Sequence, residues 1–263
     1  MRTLITGATS GHGLHLARSL AEAGHRVLVH GRTEDRAAEV AARLPGAVPV
    51  HADLASRAGV RSLAAQVGEC PLDVLVLNAG IGYGTPEARH VRELSPDGHE
   101  LRFAVNYLAP VLLTRLLLPN LRAAAPSRVV AVGSAGQSPL DLTDPAFTRC
   151  YDGLEAYRRS KLALAMFTFD LAAELRGTGV TANVVHPATY MDTRMVRQGG
   201  GTPQSTVEEG AAATQVLVTD PGLAGVSGGF FTGQHRARAH EDAYRPELRA
   251  RLRELTESLL ARD

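Results

Sequence analysis

Lysine is almost missing from this chain: among 28 Lys and Arg residues, Lys161 is the one lysine. Tryptophan is absent, aromatics make up 5% of the residues, and the only cysteines are Cys70 and Cys150. Two cysteines provide neither a disulfide framework nor a metal-ligand pattern, so free thiols in a reducing, cytoplasmic compartment are expected. The ten histidines are scattered, and no metal site is expected. So few aromatics give no sign of a large aromatic-lined pocket. The net charge of +1 on 263 residues leaves no broad field to draw the chain to nucleic acid or anionic lipid. Apolar runs such as 111–118 fall far short of a membrane span and are broken by Thr114 and Arg115. Residues 1–7 read as a strand entering a glycine turn, leaving no room for a signal peptide.

What is present is an alternation of short apolar runs with Ala/Leu/Arg-rich helical stretches. It predicts an α/β fold, a Rossmann-type doubly wound, mostly parallel sheet of seven strands with helices on both faces. No linker or repeat divides residues 1–263, so a single domain is expected. The strands are expected at 3–6, 26–30, 47–51, 72–77, 128–132, 180–185 and 229–231. Helices are expected at 14–23, 34–44, 60–67, 98–118, 154–176, 207–218 and 246–261. Two irregular stretches, 135–153 and 188–205, follow strands at their carboxyl ends, where ligands bind in open α/β sheets.

Arginine stays protonated and forked, whereas lysine is a compact charge with a tunable pKa. A lone surviving lysine therefore points to work that arginine cannot do. Lys161 stands four residues after Tyr157, which puts the two side chains on one helix face. Six tyrosines in 263 residues would give this placement by chance about 2% of the time. A free tyrosine is a poor base near neutrality. Lowering its pKa from about 10 to about 7 requires about 4 kcal/mol, which an ammonium about 4 Å away supplies at an effective dielectric near 20.

The first strand ends in Thr6-Gly7-Ala8-Thr9-Ser10-Gly11-His12-Gly13 and opens a helix. Glycines there let backbone N–H groups approach a pyrophosphate at a helix N-terminus. At the end of the second strand no acid is present to hydrogen-bond a ribose 2′-hydroxyl. Arg32 instead offers a planar fork suited to a 2′-phosphate, so NADP(H) is expected over NAD(H).

The glycine spacing, together with Tyr157-x-x-Ser160-Lys161, resembles the classical branch of the short-chain dehydrogenase/reductase family. The resemblance covers essentially the whole chain, with Asp53-Leu54, Asn78-Ala79-Gly80, Asn106, Ser134 and His186-Pro187 in order. The Ser134–Tyr157 spacing of 23 is closest to the retinol-dehydrogenase-like subgroup. The resemblance implies Tyr157 as general acid/base, with Lys161 lowering its pKa and holding the nicotinamide ribose. Ser134 would bond the substrate oxygen, and Asn106 would hold a relay water. It further implies cofactor contacts from Gly7, Thr9, Ser10, Gly11, His12, Gly13, Arg32, Asp53, Leu54, Asn78, Ala79, Gly80 and Pro187, besides Tyr157 and Lys161. Ala188 stands where the family commonly has glycine, and the threonine that contacts the carboxamide is left as Thr189 or Thr193. His12 replaces an aliphatic residue.

The expected function is an NADP(H)-dependent oxidoreductase acting on a ketone or alcohol of a small, polar or natural-product-type molecule. Loop acids Asp141, Asp144, Asp152, Glu155 and Asp192 raise the idea of a cationic substrate, with Arg149, Arg194 and Arg197 as counterweights; solvated loop charges are the simpler account. A non-catalytic NADP-binding sensor is the alternative, but a sensor has no need of Asn106, Ser134, Tyr157 and Lys161 together. An epimerase or dehydratase is disfavoured by the glycine spacing and short length. The resemblance allows a homo-oligomer, dimer or tetramer, and no nucleic-acid or membrane partner is expected.

Overall fold

The computed structural model describes residues 1–261. Eight strands form one sheet in the order β3-β2-β1-β4-β5-β6-β7-β8. They are β1 (Arg2–Ile5), β2 (Arg26–Gly31), β3 (Val48–His51), β4 (Val74–Leu77), β5 (Ser127–Val132), β6 (Val180–His186), β7 (Phe230–Thr232) and β8 (His235–Ala237). All neighbouring pairs are parallel except β7 with β8. The strand order reverses between β1 and β4, which opens a crevice beyond their carboxyl ends. β4 reads Val-Leu-Val-Leu and is buried throughout, as a central parallel strand covered on both faces must be.

The helices are α1 (Gly11–Glu22), α2 (Glu34–Ala41), α3 (Arg57–Val67), α4 (Leu101–Phe103), α5 (Ala109–Ala123), α6 (Gly153–Glu174), α7 (Arg194–Gln198), α8 (Val207–Thr219) and α9 (Pro246–Ala261). Leu16, Leu20 and Val40 from α1 and α2, with Leu217 and Val218 from α8, fill one face of the sheet. Residues of α3, α5, α6 and α9 fill the other. α9 is fixed across the second layer by a buried hydrogen bond between the Tyr107 and Thr256 hydroxyls, 2.6 Å long.

Three expectations need correction. The sheet has eight strands because Gly233, at φ +57, turns the chain back and lets β8 pair antiparallel with β7. β8 is three residues long, centred on Arg236, and carries no apolar alternation to read. The helix expected at 98–118 starts at Leu101 under the Glu100 carboxylate, which accepts from the Phe103 N–H, and it is not continuous. A π turn, Ala104–Leu108, joins α4 to α5, with the Ala109 N–H bonded five residues back to Ala104. Pro110 has no N–H to offer the Asn106 carbonyl four residues earlier, so regular α-helical bonding fails there. The whole stretch Leu101–Ala123 is long and apolar enough to cross a membrane by length and composition, beyond the short run read from sequence, and 83% of its most apolar window is buried within the fold. It serves as a core helix.

Candidate active site

The glycine turn is fixed from several sides. Thr6 Oγ1 accepts from the N–H groups of both Asn78 and Ala79, each at 2.9 Å, tying the end of β1 to the segment after β4. The Asn78 amide donates to the carbonyls of Thr6 and Gly7 at 2.7 and 3.1 Å. A Cβ at Gly13 would fall 2.4 Å from both the Gly7 oxygen and the Asn78 amide nitrogen, so only glycine lets α1 start this close to the strand. His12 is buried, and its side chain points away from the crevice. Its Nδ1 bonds Asn78 Oδ1 at 2.7 Å, and its Nε2 meets Thr214 Oγ1 at 2.9 Å. Burial lowers its pKa, against the bonds to Asn78 and Gly210 that favour the charged form. A neutral ring donates from Nδ1 to Asn78 and accepts the Thr214 hydroxyl proton at Nε2, at the expense of the bonds that Nε2 and Thr214 could otherwise make to the Gly210 carbonyl. His12 therefore orients Asn78, and only its backbone can face a ligand at the turn.

The turn suits an anionic group. Helices α3, α6 and α8 begin under side-chain caps from Ser56, Asp152 and Thr206, whereas α1 and α2 begin without one, and α1, unlike α2, also has no acid in its first turn. Its N–H groups and dipole are free to meet an anion. Arg32 is exposed after β2 and makes no hydrogen bond or ion pair with the described residues, although Glu34 and Asp35 follow it on α2. A second arginine, not singled out from sequence, joins it: Arg36 on α2 donates to the Thr9 carbonyl at 3.3 Å and pairs with Glu39. Its spacing from Arg32, one helical turn, was the available signal. Asp53 is exposed and accepts from the Ala55 N–H at 3.0 Å, while Leu54 is buried in the core.

Tyr157, Lys161, Asn106 and Ser134 converge beside this turn. Ser134 follows β5, accepts from the Gly136 N–H at 3.0 Å, and stands near enough to Tyr157 for its hydroxyl to favour the phenolate. Lys161 is buried; its Nζ donates to the Val132 carbonyl at 2.9 Å and lies 5.7 Å from the Tyr157 ring centroid. Burial lowers its pKa to about 8. The Asn106 carboxamide accepts from the Ile81 N–H at 2.9 Å, donates to the Ile81 carbonyl at 3.1 Å, and donates to Ser160 Oγ at 3.0 Å. A Cβ at Gly80 would lie 3.2 Å from Asn106 Oδ1 and 3.6 Å from Lys161 Nζ, which brings these three residues into one cluster. The expectation of a phenol drawn down by Lys161 needs revision. Burial raises the Tyr157 pKa above its ordinary value, the Ser134 hydroxyl opposes it, and Tyr83 adds to it.

Three segments wall the rest of the crevice. Stretches 135–153 and 188–205 were expected; 81–94, rich in Gly and Pro after β4, was missed. Arg102 and Glu100, both buried, form the joint between them. Arg102 donates to the Gly82 carbonyl at 3.0 Å and to the Tyr151 hydroxyl at 2.7 Å, and that hydroxyl donates to Glu100 at 2.9 Å. Arg89 bonds Asp152 at 2.8 Å, and Arg92 bonds the Ala146 carbonyl at 2.6 Å. Tyr83 stands edge-on to Tyr157 at 6.2 Å between centroids. Gly199 lies against the Tyr83 ring, where a Cβ would come within 2.2 Å. The loop acids are matched by arginines: Asp141 and Asp144 by Arg149, Asp192 by Arg197, and Glu155 by Arg158 and Arg159. That pairing removes the basis for a cationic substrate.

Pro187 is buried at the end of β6. The Thr189 hydroxyl is engaged by His186 at 3.2 Å. Thr193 caps α7, and its methyl would lie 3.4 Å from a Cβ on Gly11. Of the two threonines, Thr193 is the one brought against the glycine turn.

The short chain dehydrogenase family model matches residues 2–202. A probable oxidoreductase of Streptomyces lividans is 37% identical, over 92% of this chain and 87% of its own length. Human retinol dehydrogenase 13 is 32% identical, over 95% of this chain and 81% of its own. The structure of the Pseudomonas aeruginosa RhlG/NADP active-site complex superposes with a TM-score of 0.69 at 31% identity, covering 88% of this chain and 93% of that one. With its eight-stranded dinucleotide-type sheet, its glycine turn and its Tyr157–Lys161 pair in place, the chain belongs to the short-chain dehydrogenase family and is an oxidoreductase of the retinol-dehydrogenase-like type.

Proposed function

We propose that the protein reduces a ketone or aldehyde of a small, polar or natural-product-type molecule with NADPH, and catalyses the reverse oxidation with NADP+. The observation that carries this reading is the Tyr157 phenol, with Ser134 next to it and the buried Lys161 5.7 Å from its ring, at the edge of a glycine turn whose helix is left uncapped. When bound, the nicotinamide supplies or receives the hydride. Gly7, Thr9, Ser10, Gly11, Gly13 and the backbone of His12 would hold the pyrophosphate. Asp53 and Leu54 would serve the adenine, Asn78, Ala79 and Gly80 the floor of the site, and Pro187 and Thr193 the carboxamide. Arg32 and Arg36 support NADP(H): Arg32 directly follows β2 and is exposed, and Arg36 reaches the Thr9 carbonyl of the turn, so two planar forks are available to a 2′-phosphate.

Tyr157 acts as the general acid. Its phenol carries the proton at neutral pH and can donate it to an oxygen becoming an alkoxide; burial, which raises its pKa, weakens it as an acid, and the Lys161 ammonium offsets that by stabilising the phenolate. Ser134 donates to the same oxygen and stabilises the charge that develops there. The Lys161 ammonium stabilises the phenolate that forms. Because the Lys161 pKa stands at about 8, it is charged below that pH, and kcat/KM for reduction is expected to fall as pH rises through about 8. Asn106 fixes Ile81 and Ser160 around this centre, and a relay of protons past it is part of the proposal. The exposed free thiols Cys70 and Cys150 suit a reducing, cytoplasmic setting.

An NADPH-consumption screen against ketones and aldehydes, with NADH run in parallel, tests the reading. Turnover with a clear preference for NADPH supports it. Preference for NADH removes the cofactor assignment, and no turnover by any carbonyl moves weight to a dinucleotide sensor.

A further inference from the structure

We propose that His30 is a positioning residue for the dinucleotide, an imidazole cross-link joining the phosphate turn to the adenine side of the crevice without touching the cofactor. This rests on the reading of the crevice as the dinucleotide site. His30 is the penultimate residue of β2 and is 3% exposed. Its Nδ1 accepts from the Gly7 N–H at 3.0 Å, and its Nε2 meets the Ala52 carbonyl at 3.1 Å. Gly7 opens the turn after β1, and Ala52 immediately precedes Asp53 and Leu54 after β3. One ring therefore spans from the segment flanking β2 on one side to the segment flanking it on the other.

The partners fix the chemistry of the ring. A backbone N–H can only donate and a carbonyl can only accept, so the neutral tautomer with hydrogen on Nε2 satisfies both. The other tautomer, or the protonated ring, would set an N–H against the Gly7 N–H. The Gly7 peptide is held from its other side as well, its carbonyl accepting from Asn78, which His12 orients. Gly7 has φ +66, and a Cβ there would lie 2.9 Å from Ala79 Cα, so the turn has no slack to absorb the loss of one clamp. The strand carrying His30 leads directly into Gly31 and Arg32, and the His30 carbonyl accepts from the Ala8 N–H at 2.8 Å. His30 thus sets the relative placement of the phosphate turn, Arg32 and Asp53, three parts of one binding surface that come from separate strands.

Two substitutions separate this role from packing. His30→Leu keeps an apolar side chain and loses both bonds; His30→Gln keeps an acceptor for Gly7 and a donor for Ala52. NADPH binding is measured for the full chain by nicotinamide fluorescence titration, with circular dichroism and the thermal midpoint confirming the fold. His30→Leu is expected to weaken NADPH binding at least tenfold and His30→Gln less than threefold, with kcat at saturating NADPH unchanged in both. If the leucine variant does not fold, His30→Asn, too short to reach both partners, replaces it with the same tenfold expectation. Wild-type affinity in the variant lacking the bonds, or equal weakening in that variant and His30→Gln, overturns the proposal. A wild-type chain that binds neither NADPH nor NADH would instead overturn the dinucleotide reading, and the proposal with it.

Discussion

The two halves of the crevice are held together by different chemistry. On the cofactor side the ties between strand ends are neutral, with Arg36 on the Thr9 carbonyl as the one charged contact described: Thr6, Asn78, His12 and His30 join the ends of β1, β2, β3 and β4 through hydroxyl, amide and imidazole groups. On the substrate side they are ionic, with Arg102–Glu100, Arg89–Asp152, Arg149–Asp144 and Arg197–Asp192 pinning loops to one another. The difference has a physical reason. A turn that receives phosphates must keep carboxylates away, so neutral groups hold it. Long loops without regular backbone bonding need strong, directional staples, and the arginine fork provides them. The same contrast explains the composition: arginine serves as staple throughout, while the single lysine is kept for the buried position next to Tyr157.

The comparison can be broken most severely at the ionic joint. Arg102→Met leaves Glu100 charged and buried, and a loss of about 3–5 kcal/mol in unfolding free energy is expected by denaturant titration. Adding Glu100→Leu should return most of that stability, because two apolar groups carry no desolvation cost. A smaller effect tests the neutral side. His30, held at a pKa of about 4 chiefly by burial, faces His51 and Asp53 as its nearest charged neighbours. Above pH 6.5 it is neutral in both folded and unfolded chains. As pH falls from 6.5 to 4 the unfolded chain takes up the proton and the folded chain resists it. Relative to His30→Gln, the wild type should lose about 3 kcal/mol of stability across that window. A parallel pH profile for the two would show that the ring is not buried neutral. The smallest expected effect is at the mouth, where Gly199→Ala must push the Tyr83 ring away from its place beside Tyr157. About a tenfold fall in carbonyl kcat/KM is expected, roughly 1.4 kcal/mol, with NADPH affinity unchanged. An unchanged kcat/KM would remove Tyr83 from the substrate wall.

The cofactor half was the more legible in sequence, because its signals are local. The glycine turn, Asn78-Ala79-Gly80 and Tyr157-x-x-Ser160-Lys161 each sit within a few residues on one element, and the strand alternation places them at the same end of the sheet. The missed features depend on tertiary contact. β8 is too short for a pattern, the π turn follows from Pro110 inside an otherwise helical run, and 81–94 gains its role only when Arg102 and Tyr151 meet. His12 has no meaning until Asn78 and Thr214 stand on either side of it. Even the Tyr157–Lys161 pair was legible only as a pair: spacing put both on one helix face, but the Val132 carbonyl, 29 residues away in sequence, decides where the ammonium rests.

Tyr157→Phe tests the central claim most directly. NADPH binding and single-turnover reduction of a carbonyl found in the screen are measured on the same preparation. Reduction is expected to fall by at least about a thousandfold, as loss of a general acid can produce, while NADPH affinity stays within threefold of wild type. A variant that binds NADPH normally and keeps more than about a tenth of the wild-type rate would contradict the assignment of Tyr157 as the proton donor.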